Sequence, residues 1–282
     1  RKIYLLFFAI FICQIASAQS NVINDVRKII NERKEAKILI PKSEVKDINE
    51  LANIISLDYP KGDFFFFFLN NKQYNKFLTL NLKHSLYKEE LGTKALNMAT
   101  TMAQMSSWNR YPTYQVYDSL MRRFASIYPN ICKLDTIGFS TNNRLLLCLK
   151  ISSSPYQNID KPKFCYSSSM HGDEITGIIL LLRLSDWLLS NYGIDQRATN
   201  IINNTQLFIN PIANPDGTYA GGNNNVSSAT RYNANSVDLN RNFPDPIEGS
   251  HSDGENWQPE TLAFMAYADS NDFSLSANLH GG

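Results

Sequence analysis

The run of apolar and polar positions divides the chain into two sets of elements. In the first set, Ala36 to Ile40 reads as a strand ending at Pro41, and Val45, Ile48, Leu51, Ala52 and Ile55 then recur at helical spacing. The consecutive phenylalanines Phe64 to Phe68 predict a second strand, buried on both faces. Tyr74, Phe77 and Leu78 predict a short helix, and His84 to Tyr87 a last strand. Gly92 to Ser107 carries Met, Ala, Ser and Thr without a clear period and reads as a linker.

A second set starts near Trp108. Thr113 is placed to cap a helix whose apolar face is Val116, Tyr117, Leu120, Met121 and Phe124, stopping at Tyr128-Pro129. Two strands, Cys132 to Phe139 and Arg144 to Ile151, are joined by Thr141-Asn142-Asn143 as a hairpin turn. A strand at Phe164 to Tyr166 leads into a helix from Glu174 to Asn191, then a shorter helix to about Asn203. Gln206 to Ile209 predicts another strand, followed by a Gly/Asn/Ser-rich loop to Asp245, a helix from Pro259 to Ala268 and a strand from Phe273 to Leu279. Strands alternating with helices predict an α/β class: a mixed, mostly parallel sheet with helices on both faces. The expected division is 1–18, 19–105 and 106–282.

Composition narrows the picture little. An apolar fraction of 43% and a charged fraction of 19% are those of an ordinary globular protein. A net charge of +1 gives no reason to expect nucleic acid as a partner. The first residues carry more information. Arg1-Lys2, the apolar run Ile3 to Ile15 and Ala16-Ser17-Ala18 have the form of a secretory signal cleaved after Ala18, which predicts a secreted or periplasmic protein. That apolar run is too short to span a bilayer, so no stable membrane insertion is expected. Cleavage leaves Cys132, Cys148 and Cys165, an odd count that excludes full pairing. Cys148 and Cys165 sit in apolar runs and read as small buried residues; a Cys132–Cys148 bridge is open to the sequence but not demanded by it.

Candidate chemistry centres on Met170-His171-Gly172-Asp173-Glu174, which lies where a predicted strand ends and a helix begins. Open α/β sheets bind ligands at such strand ends. Zinc accepts imidazole nitrogen and carboxylate oxygen, and a catalytic zinc keeps one position for water. The plain alternative is a helix start with acidic residues near its positive end. His280 follows the last strand directly and is a candidate third ligand to His171 and Glu174. Asn240 and Arg241 stand side by side in the long loop, and Arg231 nine residues earlier. A guanidinium suits a carboxylate because it offers two parallel hydrogen bonds.

Taken together these residues resemble the zinc metallocarboxypeptidases, in particular the carboxypeptidase E/N/D-like branch. The matching pieces are Met170 to Glu174, Asn214-Pro215-Asp216-Gly217, Asp238 to Asp245, Gln258-Pro259-Glu260-Thr261 and Leu279-His280-Gly281-Gly282. They occur in the family's order from about Tyr111 onward. The resemblance implies Zn²⁺ held by His171, Glu174 and His280, with Arg231 polarising the scissile carbonyl. It implies that Asn240 and Arg241 grip the free C-terminal carboxylate of a peptide or protein substrate. It also implies a general-base Glu and a substrate-facing Tyr on segments after the third ligand, whereas the sequence stops two residues after His280. The catalytic domain is therefore expected to be truncated, and inactive as it stands. More weakly, residues 19–105 resemble the small α/β pro-segment that precedes many such domains; an accessory domain without a regulatory role is the other reading. Two alternatives stay open for function: a peptidoglycan stem-peptide peptidase on the same site, and a non-catalytic module that binds peptide C-termini.

Overall fold

The computed structural model describes residues 19–87, 96–157, 159–247, 249–251 and 253–281. The expected signal segment, 1–18, lies outside the described residues. The chain divides near residue 92 into two units.

The first unit is helical over residues 19–33 (α1). Strand β1 (Ala36–Pro41), helix α2 (Ile48–Ala52), strands β2 (Ser56–Lys61) and β3 (Phe64–Leu69), helix α3 (Asn71–Leu78) and strand β4 (Ser85–Leu86) follow. The strands form an antiparallel sheet in the order β2-β3-β1-β4. Two helix starts are written in the sequence: the Asp47 carboxylate accepts from the Asn49 amide, and Asn70 with Gln73 forms a reciprocal capping box. Side chains alternate across a strand, so Phe65, Phe67 and Leu69 face one way and Phe64, Phe66 and Phe68 the other. Phe67 and Leu69 join the core with Val26 and Ile30 of α1 and Tyr74 and Phe77 of α3. On the opposite face Phe66 and Phe68, with Tyr59 and Tyr87, surround the Lys37 ammonium at 4.8–5.9 Å from the ring centres. Asp58 completes the cage with an ion pair of 2.8 Å to Lys37. A cation attracted to ring faces thus lets a strand of five phenylalanines tolerate a face that carries no helix core.

The second unit opens with strands β5 (Met98–Ala99) and β6 (Tyr111–Pro112), which pair in parallel. Ala99 and Met105, within the stretch read as a linker, are fully buried and belong to the core of this unit. Helix α4 (Tyr114–Ile127) starts at Thr113, whose Oγ1 accepts from the Val116 amide, and buries the five apolar residues that its spacing predicts. Strands β7 (Cys132–Phe139) and β8 (Leu145–Ile151) form the expected hairpin, with Asn143 in the left-handed region at φ 60°. Strand β9 (Lys163–Ser168), helices α5 (Thr176–Ser190) and α6 (Gln196–Asn204), strand β10 (Gln206–Asn210), the turn α7 (Pro215–Thr218), helix α8 (Pro259–Asn271) and strand β11 (Leu275–Leu279) complete it.

The sheet order is β11-β9-β10-β8-β7. β9 runs parallel to both β10 and β11, while β8 is antiparallel to β10 and β7, so the sheet is mixed. Leu147, Leu149 and Ile151 of β8 pack with α4, α5 and α6. Cys148, on the alternate face, packs with Cys165, Phe208, Tyr267 and Phe273 beneath α8. Helices therefore cover both faces, as expected. Cys132, Cys148 and Cys165 are all buried and free, without the bridge between the first two. Burial pushes the Cys132 thiol up to about 12 and Cys165 to about 11, which keeps both inert. No helix among the described residues is long and apolar enough to cross a membrane.

Candidate metal centre

The site forms where two neighbouring parallel strands end. Leu279 of β11 pairs with Ser168 of β9, so His280 emerges beside the Ser168-to-Glu174 turn. Ser169 takes a left-handed conformation, φ 53°, and its hydroxyl donates to the Glu174 carbonyl at 2.9 Å. A non-glycine residue in that region turns the chain sharply enough to face His171 and Glu174 toward β11. The turn also needs close backbone approach. A Cβ on Gly172 would collide with the Gly217 carbonyl carbon, and one on Gly217 would stand 2.6 Å from the Tyr232 carbonyl oxygen.

Three ligand-type atoms converge. His171 Nδ1 lies 3.0 Å from Glu174 Oε1, His280 Nδ1 lies 2.7 Å from Glu174 Oε2, and the two Nδ1 atoms are 3.2 Å apart. One suitable atom from each residue lies within 4.8 Å of the others. Two imidazole nitrogens so close cannot both present lone pairs to each other without repulsion; a cation between them removes the conflict. The other nitrogen of His171, Nε2, contacts Asp238 Oδ1 at 3.2 Å. A carboxylate there favours the tautomer protonated on Nε2, leaving Nδ1 as the lone-pair donor, the usual outer support of a metal-bound histidine. Two nitrogens, one carboxylate and an open side fit a catalytic zinc.

Asp238 also accepts from Arg231 Nε at 2.9 Å through its second oxygen. Its carboxyl is fully buried; burial would raise it, but the Arg231 guanidinium and His171 hold it well below the usual range. For Glu174, burial is likewise outweighed by hydrogen bonds from His171 and His280, and the carboxyl is held far below its ordinary value. His171 loses charge affinity through burial, yet Asp238 and Glu174 leave it above its ordinary value. Burial pushes the Asp173 carboxyl up to about 6, against the opposing pull of Arg231.

The sequence candidates are thus connected. His171, Glu174 and His280 meet directly, and Arg231 joins them through Asp238. Asn240 and Arg241 lie on a 3₁₀ turn, Leu239–Arg241, that the same residue caps. The Asn240 amide donates to Asp238 Oδ1 at 3.0 Å and the Arg241 amide to the Asp238 carbonyl at 2.9 Å. Asn240 is exposed and Arg241 half-buried, as groups meeting a ligand from solvent would be.

In the sequence Asp238 stands out only as the first residue of a stretch that matches the family. The available signal was an acidic residue within ten positions of two loop arginines. Glu260 stands in the first turn of α8, where a negative charge favours a helix by itself. In the structure Glu260 is fully buried and accepts from the Thr141 amide at 3.0 Å and Asn233 Nδ2 at 3.2 Å, so its role is to tie loops together. Asp216 does the same for the hairpin turn, accepting from Ser140 Oγ, the Asn142 amide and Arg144 Nη1 at 2.9, 2.8 and 2.6 Å. Asn214 Nδ2 reaches the Met170 and Arg231 carbonyls, both at 3.4 Å, clasping the two site loops together.

The zinc carboxypeptidase family model matches residues 117–282. Carboxypeptidase D of Homo sapiens is 39% identical over 176 residues, covering 62% of this chain and 12% of that protein. Carboxypeptidase M of Mus musculus is 40% identical over 175 residues, covering 61% of this chain and 39% of that protein. The chain therefore spans well under half the length of these curated relatives. Carboxypeptidase A from Helicoverpa armigera shares the fold with a TM-score of 0.61 at 19% identity, covering 88% of this chain and 70% of that one. With a mixed sheet, a histidine–glutamate–histidine cluster at its strand ends and a family match over most of the second unit, the chain belongs to the zinc carboxypeptidase family of Zn²⁺-using peptidases.

Proposed function

We propose that this site serves zinc-dependent removal of the C-terminal residue from peptides or proteins with a free C-terminus. The observation that carries the reading is the convergence of His171 Nδ1, Glu174 and His280 Nδ1 on one point, with Asp238 behind His171. His171, Glu174 and His280 would hold Zn²⁺, which when bound supplies a Lewis acid and a water whose pKa falls to roughly 7.

The remaining roles belong to the chain's own side chains. Arg231, fixed at Nε by Asp238, offers a positive charge to a carbonyl oxygen that becomes an oxyanion. Asn240 and Arg241 grip the terminal carboxylate and so restrict the reaction to the last residue of a chain. Their backbones are tied to Asp238, so clamp and metal ligands keep a common frame. We read the first unit, from residue 19 to about residue 92, as a pro-segment-like domain, supported by an antiparallel sheet with its helix core on one face. A secreted or periplasmic location rests on the pattern of residues 1–18.

The test is metal and ligand binding by the whole chain. Zinc titration against a competing chelator should give one tight site, lost in His280→Ala. The loaded protein should bind a peptide with a free C-terminus but not its amidated form, and Arg241→Ala should abolish that preference. Absence of a stoichiometric zinc site in the folded protein would defeat the proposal.

A further inference from the structure

An open cavity of about 600 Å³ lies wholly within the second unit and shares no residue with the metal cluster. Small-molecule sites have volumes of this order and are mostly apolar, with a few placed polar groups. Met105, Leu120 and Phe124 give the cavity a buried apolar lining. Arg123 of α4 and Asp186 of α5 line it as well. Among the described residues these two charges form no ion pair with each other, although Arg122 next to Arg123 is held by Asp118 at 3.0 Å. Burial pushes the Asp186 carboxyl up, against the pull of the Trp108 indole N–H and the Arg123 charge. Trp108, also in the lining, takes the left-handed region at φ 51°, a conformation costly for a bulky residue. Backbone strain of this kind collects at ligand sites, and here it accompanies an indole within reach of Asp186.

We propose that this cavity binds a free amino acid with a large apolar side chain, its ammonium on Asp186, its carboxylate on Arg123 and its side chain against Met105, Leu120 and Phe124. A neutral apolar ligand would strip water from both charges and return a partner to neither. A carboxylate alone would set a second anion beside Asp186, and an amine alone would face Arg123. A zwitterion answers both charges at once, and the guanidinium fork suits a carboxylate. The unbranched thioether of Met105 adapts to side chains of different shape. Free amino acids are also what the proposed reaction would release. The cavity has its own residues, however, so neither reading depends on the other.

Calorimetry on the full chain tests this with L-phenylalanine and a set of analogues. Hydrocinnamate lacks the ammonium, phenethylamine lacks the carboxylate, and glycine lacks the apolar side chain. L-Phenylalanine should bind, and each analogue should bind about tenfold more weakly or worse. Asp186→Asn should bind L-phenylalanine and hydrocinnamate alike, and Arg123→Met should bind L-phenylalanine and phenethylamine alike. Arg241→Ala, which removes the proposed carboxylate clamp of the metal centre, should leave binding of L-phenylalanine unchanged. Zinc stoichiometry is determined on the same samples.

A folded wild type that does not bind L-phenylalanine at millimolar concentration overturns the proposal. Equal affinity for all the compounds overturns it as well, and neither outcome requires a variant to fold. Binding that is lost in Arg241→Ala but kept in Asp186→Asn and Arg123→Met also overturns it, because the amino acid then sits at the clamp. A chain that binds zinc but no free amino acid keeps the proposed function alone. One that binds L-phenylalanine with this selectivity but no zinc keeps only the present inference.

Discussion

His171 and Arg231 share one carboxylate: Asp238 contacts the first through Oδ1 at 3.2 Å and accepts from the second through Oδ2 at 2.9 Å. Removing that carboxylate frees the imidazole to rotate or change tautomer and takes one acceptor from the buried Arg231 guanidinium. Asp238→Ala should lower zinc affinity by about 10–100-fold. Chelator competition at constant pH checks it. Asp238→Asn should recover little, since its amide nitrogen would face one of the two donors.

The glycines of the two clasped turns have no room for a side chain. Gly217→Ala places a Cβ 2.6 Å from the Tyr232 carbonyl oxygen and 2.8 Å from that of Thr230. These atoms are backbone and cannot swing aside. The substitution should lower stability by about 2–4 kcal/mol, an overpacking cost at the upper end of the usual range. Urea unfolding reads it, and zinc affinity should fall in parallel because Gly172 packs against the same segment.

Asp216 is a third target. Its side chain is fully buried and accepts from a hydroxyl, an amide and the Arg144 guanidinium. Asp216→Ala leaves all three donors unmatched and should cost about 3–5 kcal/mol, as for a broken buried ion pair. Because these partners belong to the hairpin turn and not to the metal cluster, zinc stoichiometry in the surviving folded fraction should stay at wild-type level.

The response to pH follows from two opposed shifts. His171 is raised in the folded, metal-free state, so its contribution to stability is complete below about pH 6.5 and is lost as pH rises through the folded value. Glu174 is lowered, so its contribution is present above about pH 4.3 and is lost on acidification. The metal-free protein should therefore gain most from this pair between those two values. Zinc needs the imidazole neutral, so its affinity and the rise in Tm that it brings should grow as pH increases from 6 to 8. Thermal melts with and without zinc across that range check the sign; a zinc effect independent of pH would contradict it.

How much was legible from sequence depended on range. The hairpin of β7 and β8, the capped α4 and the strand ends carrying His171 and His280 all announce themselves locally, through turn residues, a cap and apolar periodicity. Asp238 and Glu260 did not, because what each side chain accepts from is set by loops remote in sequence. Glu260 satisfies the rule for a helix's first turn and is nevertheless buried against Thr141, 119 positions away. The stretch around Ala99 and Met105 has no period, so burial in the second core could not be read from it. The phenylalanine run was legible as a strand, but burial on both faces stops short of the exposed Phe64, and the lysine caged on the far face was not legible.

The pairing of β11 with β9 brings together His280 and His171, proposed ligands 109 residues apart in the chain. Contacts over such separations carry a large loop-closure cost and form slowly. A half-assembled sheet therefore offers only the His171–Glu174 pair, a weak chelate. Occupancy of the proposed metal centre becomes a readout of finished topology: chains in which β11 has failed to dock are left metal-poor and distinguishable from those that have matured.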